Sequence, residues 1–489
     1  MAQACLVSSA GSVFLGDLAS RVLSCCGMES LLAPQSKPVH APPLRALGAL
    51  PRSPAGGAGA ARGADAVGAR PVRAAVTVGL AVHSMRRAHS ARRRRARHRA
   101  RSLEAVGAVA PPAAAALEEN PALRPAGSGT AGERFVWEWR PCVEVHFERL
   151  APAERGCCRS AVVMVHGFGA EGGYYAEQLR AVAGAGAVAY AVDLLGQGRS
   201  WPSRDPAPAA EATAWGWGEA LEANFQGGLA FGEPTWLEQL DTFIRQVVPE
   251  ERVYLLGNSV GGYLAAKVAA REPEEERRVS GLILANAAPF WGWFREGLAP
   301  WDGRLPVPVW VRPVATLWFS ALRANIQSLL SLVYAAPEHG IVSRSLSGLA
   351  GRIAEAASHP MGPAAFASIL FAPQQAPSFG DALNALAARE VPTLLLYGDD
   401  DPWIVRWWAE RAAGRISGVG EYYAISPAGH CPHHEAPAAF NRVLVDWLRR
   451  ADGEAGTPAL LSVGGCMEGP THEDAGGLIA STATTERRL

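Results

Sequence analysis

Gly257-Asn258-Ser259-Val260-Gly261 is the stretch on which the fold turns. The apolar run Val253-Tyr254-Leu255-Leu256 precedes it, and Gly262-Tyr263-Leu264-Ala265-Ala266-Lys267-Val268-Ala269-Ala270, a helical pattern, follows it. A strand, a sharp G-x-S-x-G turn and a helix make a nucleophile elbow. Such a turn is strained. Positions 257 and 261 must be small, because a side chain there would strike the neighbouring strand or helix. Ser259 is thereby lifted above the sheet with its hydroxyl presented. The motif alone is weak in a chain with 52 glycines, and a Gly-rich connection capped by a serine would read the same way. The flanking strand and helix favour a nucleophile.

Working outward, strand-like and helix-like segments alternate. Val143 to Phe147 alternates like a strand, Ala161 to Val165 is a buried run ending in His166-Gly167-Phe168-Gly169, and Ala187 to Val192 is another, ending in Asp193. Tyr174 to Val182 reads as a helix. Thr235-x-x-Glu238 reads as a capping box opening a helix with Leu237, Leu240, Ile244 and Val248 on one face. Gly281 to Ala285, Val391 to Tyr397 and Tyr422 to Ile425 complete the strands, and a helix runs from about Pro437 to Arg449. Alternation of this kind predicts an α/β fold, a mostly parallel central sheet with helices on both faces and ligands at the carboxyl ends of the strands. The expected organisation is a leader at 1–101, a linker at 102–133, a core at 134–289 and 391–450, a largely apolar helical cap at 290–390 between two core strands, and a disordered tail at 451–489.

A serine hydroxyl needs a base to take its proton. The α/β-hydrolase fold supplies its parts in the order Ser, acid, His. His430, in Pro427-Ala428-Gly429-His430, lies just past a strand end, where the base belongs. His433 and His434 read as local loop residues rather than as parts of a metal site, and His339 and His359 fall in the cap. After the strand ending at Tyr397, Gly398-Asp399-Asp400-Asp401-Pro402-Trp403 offers three carboxylates. Asp401 holds the Gly-x-x-Asp spacing and is the expected acid, with Asp400 in reserve and Asp399 a turn residue. The expected oxyanion donors are the backbone N–H groups of Val260 and Phe168. Serine at the elbow, where dehalogenases and epoxide hydrolases of this fold use aspartate, points to ester hydrolysis through an acyl-serine. Such chemistry needs no cofactor and no metal, and no G-x-G-x-x-G follows the first strand. A receptor that kept the fold is the alternative from another class; it has no reason to keep Ser259, Asp401 and His430 together.

Charge divides the chain. Residues 1–101 hold 16 Lys plus Arg and three acids, leaving 30 basic and 43 acidic residues, a formal net charge of −13, in the remainder. The body is no binder of nucleic acid. The Arg-, Ala- and Ser-rich leader reads as an organelle transit peptide; its Arg86 to Arg101 end would otherwise be a nuclear or nucleic-acid signal. Eight cysteines without metal-ligand spacing fit a reduced compartment. Leu305 to Ala335 is apolar but broken by Arg312 and Arg323. It reads as cap helices that touch a membrane surface, or as plain cap core, and not as a span.

Gly257 to Gly262, Asn286-Ala287-Ala288-Pro289-Phe290-Trp291-Gly292, Tyr397-Gly398 with Asp401-Pro402-Trp403, and Ile425 to His433 together resemble pheophytinase-like plastid α/β-hydrolases. Trp137-Glu138-Trp139-Arg140 and the segment from His359-Pro360 to Leu370 add to the likeness, which spans roughly 135–450. The resemblance implies removal of phytol from pheophytin or a related chlorophyll pigment and a chloroplast location in the stroma or at the thylakoid, where Leu305 to Ala335 is the segment that would make any peripheral membrane contact. A plastid esterase or lipase acting on another lipid is the alternative. Asn258, Phe290, Trp291 and Trp403 are the substrate contacts it suggests. The chain departs from the family pattern at Val260, at His434, at Asp399-Asp400 and in the Trp-rich segment 201–233, which leaves the triad intact and bears on substrate preference.

Overall fold

Runs of β-branched and aliphatic residues that are buried on both faces form the middle of a parallel sheet. The computed structural model describes residues 120–153, 158–202, 215–216, 224–225, 227–291, 299–335, 340–453 and 477–480; the leader and residues 203–214 lie outside them. The strands are β1 (Leu123–Ser128), β2 (Glu133–Arg140), β3 (Val143–Leu150), β4 (Ser160–Val165), β5 (Val188–Val192), β6 (Trp201–Pro202), β7 (Arg252–Asn258), β8 (Val279–Ala285), β9 (Thr393–Gly398), β10 (Gly420–Ser426) and β11 (Gly477–Ala480). Their order is β1-β2-β3-β5-β4-β7-β8-β9-β10-β11, with β6 paired to β3. From β5 to β10 every neighbouring pair is parallel, and β1, β2, β3 and β11 join antiparallel. The fold is the α/β-hydrolase arrangement expected. The sheet starts at Leu123, inside the stretch read as linker, and Gly477–Ala480 of the expected disordered tail forms its last strand.

The helices are α1 (Ala176–Gly184), α2 (Glu233–Gln246), α3 (Val260–Arg271), α4 (Arg312–Ala324), α5 (Ile326–Ser331), α6 (Gly340–Ala356), α7 (Gly362–Phe371), α8 (Phe379–Ala388), α9 (Arg406–Arg415), α10 (Pro432–Glu435) and α11 (Pro437–Asp452). Strand periodicity sorts the core into two faces. Val163, Val165 and Leu255 face Trp236, Tyr263 and Leu264, while Val162, Met164 and Leu256 face Leu179, Val182, Phe440 and Trp447. Between β8 and β9 lie α4 to α8. The last of these packs on α3, with Tyr263 and Phe379 rings 6.1 Å apart. The capping box expected at Thr235 is not there. α2 begins at Glu233, two residues before Thr235, with Gly232 as its N-cap and Pro234 in its first turn, so Thr235 already lies inside the helix.

One charge pair holds the elbow helix from beneath. Lys267 and Glu233, both buried, are joined through Lys267 Nζ, which also donates to the Tyr263 hydroxyl (3.1 Å) and the Gln375 carbonyl (2.6 Å). The Tyr263 hydroxyl donates to Glu233 as well (2.8 Å). Glu233→Ala leaves the ammonium buried without its counter-charge, and the expected loss is about 3–5 kcal/mol in a urea unfolding series.

Candidate active site

Each chemically capable side chain stands just beyond a strand. β7 delivers Ser259 at φ 55°, ψ −122°, a left-handed backbone that side chains seldom adopt. Its backbone is pinned on both sides. Ser259 N–H donates to the Ala285 carbonyl (3.1 Å), and its carbonyl accepts from Ala288 N–H (3.0 Å) and Tyr263 N–H (3.1 Å). The two glycines are required as expected. A Cβ at 257 would run into the Gly261 backbone, and one at 261 into the carbonyls of Val165 and His166. α3 starts at Val260, so its unpaired N–H groups gather beside the serine.

β9 delivers Asp401 and β10 delivers His430. His430 Nδ1 lies 2.7 Å from Asp401 Oδ2, and both residues are buried. Asp401 Oδ1 accepts from the N–H groups of Trp403 (2.8 Å) and Ile404 (3.0 Å). Burial alone would raise this carboxyl. The adjacent His430 and the hydrogen bonds outweigh it and hold Asp401 below the usual carboxylate range. Asp400, the reserve, is exposed and accepts from the Ser426 hydroxyl (3.3 Å), while Asp399 pairs with Arg406 (3.3 Å). Trp403 packs edge-on against His430, with ring centres 4.8 Å apart.

Asn258 does not reach outward. It is buried, and its amide donates to the carbonyls of Ala285 and His430, both at 3.0 Å, which leaves no amide N–H for a substrate. It ties the elbow to the histidine loop. The neighbouring Cys431 is buried, and burial together with the Asp401 charge pushes its thiol up, so it is a poor nucleophile. Of the other expected substrate contacts, Trp291 packs on Phe168 (5.6 Å between ring centres) and Phe290 is exposed beside Trp408 (6.3 Å).

The loop after β4 is braced against Ser259. A Cβ on Gly167 would touch the Ser259 Cβ at 3.2 Å. His166 Nε2 accepts from Leu194 N–H (3.0 Å), so its proton sits on Nδ1 and is donated to the Gly167 carbonyl (2.7 Å). Burial lowers this imidazole to about 4, so it stays neutral. Gln197 accepts from Gly169 N–H (2.7 Å), and Asp193 accepts from Gly172 N–H (2.6 Å) and Arg199 N–H (2.8 Å). The loop Asp193 to Ser200, read as structural, is the brace. His433 is buried and His434 half-buried, and His434 Nδ1 lies 3.0 Å from the Tyr334 hydroxyl. Among the described residues no group of three or more His, Cys, Asp or Glu could hold a metal ion.

Asn286 was missed as a site residue. It stands at φ 42° at the end of β8, donates to Asp401 Oδ2 (2.7 Å) and accepts from Gly398 N–H (2.8 Å). An asparagine at a strand end, able to take a left-handed backbone, was the available signal. Asn286→Ala removes one donor to the carboxylate, which costs about 1.5–3 kcal/mol. The expected result is a roughly 10- to 100-fold lower kcat on a short-chain ester. Asp401 also rises as it loses a donor.

Two cavities open beside the braced loop. One of about 90 Å³ is lined mainly by apolar groups, among them Phe168, Phe319, Ile353, Phe366 and Ile369. The other, of about 370 Å³, is more polar, with Glu171, Arg199, Arg352, Glu355 and His359 on its wall. Gly198, Trp201 and Ala356 line both. A strained serine, a carboxylate–imidazole pair and clustered backbone N–H groups can together perform acyl transfer through serine.

The chain is 34% identical over 336 residues to chloroplastic pheophytinase of Arabidopsis thaliana, a match covering 64% of this chain and 66% of that protein, just short of two thirds of its length. It is 28% identical over 355 residues to a probable 1-acylglycerol-3-phosphate O-acyltransferase of Oryza sativa subsp. japonica (68% and 78% covered). To a (lyso)-N-acylphosphatidylethanolamine lipase of Homo sapiens it is 27% identical over 317 residues (58% and 78% covered). Residues 162–443, more than half of the chain, match the model of the alpha/beta hydrolase family, and this protein belongs to that family.

Proposed function

We propose that this chain is a serine esterase that cleaves the phytyl ester of pheophytin or a related chlorophyll pigment, giving pheophorbide and phytol. The observation that carries the chemistry is the His430–Asp401 pair (2.7 Å) tied through Asn258 to the strained Ser259. Ser259 Oγ attacks the propionyl carbonyl while His430 Nε2 takes its proton. The N–H groups of Val260 and Phe168 receive the oxyanion. The tetrahedral intermediate collapses, phytol leaves with the proton from His430, and water repeats the sequence to free the pigment acid. Asp401 keeps the imidazole in the right tautomer.

The substrate rests on the pheophytinase relative and on the family resemblance carried by the segments around Asn286 and His430. The helical insertion after β8 acts as a cap. Ser259 is only 4% exposed, so the cap shifts to admit a pigment. The cavities shared by Trp201 and Ala356 form the approach, with the apolar one nearest the oxyanion loop. The Arg-rich leader supplies a plastid address. A second reading, hydrolysis of another plastid lipid ester, is favoured by the lipase relative.

The full chain should be offered pheophytin, chlorophyll, a glycerolipid and a short-chain ester, with phytol and fatty acid release followed. Phytol release from pheophytin is expected. Rapid fatty acid release with no phytol from either pigment would replace the first reading by the second.

A further inference from the structure

The outer face of α4 is built unlike the rest of the acidic body. Val309 is 73% exposed, Trp310 57%, Val314 54% and Leu317 60%. Val314 and Leu317 stand three apart on one face of α4, and Trp310 lies in the turn just before it, edge-on to Phe371 of α7 (6.2 Å between ring centres). The opposite face is already satisfied: Ala315 is buried, and Trp318 and Phe319 pack on Phe366 of α7 (5.9 and 5.8 Å between ring centres). Val314 and Leu317 are therefore surplus to the fold.

Charge identifies what covers them. Residues 303–335 hold three arginines and no acid, in a body whose net charge is −13; Arg304 is paired with Asp302 (3.0 Å), which leaves Arg312 and Arg323 at the two ends of α4. Arg323 is exposed at the end of α4 and, among the described residues, has no carboxylate partner. Leu317 and Trp310 with arginines at the flanks match an apolar interior under anionic headgroups, with the Trp ring at the boundary. No helix among the described residues is long and apolar enough to cross a membrane. We infer that α4 docks flat on an anionic lipid bilayer, with Trp310, Val314 and Leu317 inserted and Arg323 at the headgroups.

The test uses the full chain and vesicles without pigment, so it stands apart from the substrate reading. Amide hydrogen exchange is followed with vesicles of phosphatidylcholine, with and without phosphatidylglycerol. Exchange through residues 309–324 is expected to slow when anionic vesicles are added. Exchange there that ignores vesicles overturns the inference even if the protein sediments with them, because the Arg-rich leader can bind anionic lipid by itself. Slowing that follows protein concentration without vesicles also overturns it, and assigns the face to a second copy of the chain. The double variant Val314→Glu, Leu317→Glu should turn over a short-chain ester like the parent. At salt high enough to screen the leader, its partition into vesicles should fall at least about tenfold, since two apolar side chains no longer leave water. An unchanged partition sinks the proposal.

Discussion

Ser259→Ala should leave a folded protein with almost no esterase activity. The hydroxyl caps nothing in α3; the bonds that pin residue 259 come from its backbone N–H and carbonyl, which alanine keeps. Alanine also meets the same left-handed backbone as serine, so strain is not increased. Removing the nucleophile of a triad costs about 10⁶ in kcat in a related system, where the residual rate comes from oxyanion donors and binding. The expected result is therefore a kcat lower by five to six orders of magnitude on a short-chain ester, with the urea midpoint unchanged. Cys431 cannot substitute, since its thiol is buried and held protonated. Activity within tenfold of the parent would remove Ser259 from the mechanism and the triad with it.

The reach of the sequence followed the locality of the chemistry. The elbow is local: the apolar run, the glycines and the helix lie within one stretch, and the steric reason for Gly257 and Gly261 can be stated before any coordinates. His430 and Asp401 were found because a parallel sheet puts its functional loops at strand ends, which turns a long sequence into a few slots. Side chains whose partners are remote were harder to place. Asn258 stands beside the serine and so reads as a substrate contact, yet its amide turns to a carbonyl 172 residues away. Asn286 and Gln197 brace loops through contacts that no spacing announces. Thr235-x-x-Glu238 has the composition of a cap, but Pro234 fits the first turn and starts the helix earlier. The four residues of β11 carry no signal longer than themselves and are legible only as the partner of β10.

Asp401→Asn is the most discriminating change to the pair. Trp403 and Ile404 both donate to Oδ1, so the asparagine oxygen must stay there to accept from them. The amide nitrogen then falls at the Oδ2 position, facing His430 Nδ1 and the Asn286 amide. Its N–H can only donate to Nδ1. That fixes the imidazole proton on Nε2, the nitrogen that should receive the serine proton, and sets two N–H donors against each other at Asn286. The wrong tautomer costs about 10⁴ in kcat where the same change has been made in a serine triad. We expect a similar loss here, with kcat continuing to climb as pH rises, since hydroxide must do the work of the disabled base. Asp401 is held below the usual carboxylate range in the parent by His430 and its hydrogen bonds, so it stays ionised and keeps orienting the imidazole, and the parent should show a level plateau where the variant still climbs. A variant retaining more than a tenth of the parent rate, with the plateau intact, would move the acid elsewhere, and the exposed Asp400 would be the next carboxylate to change.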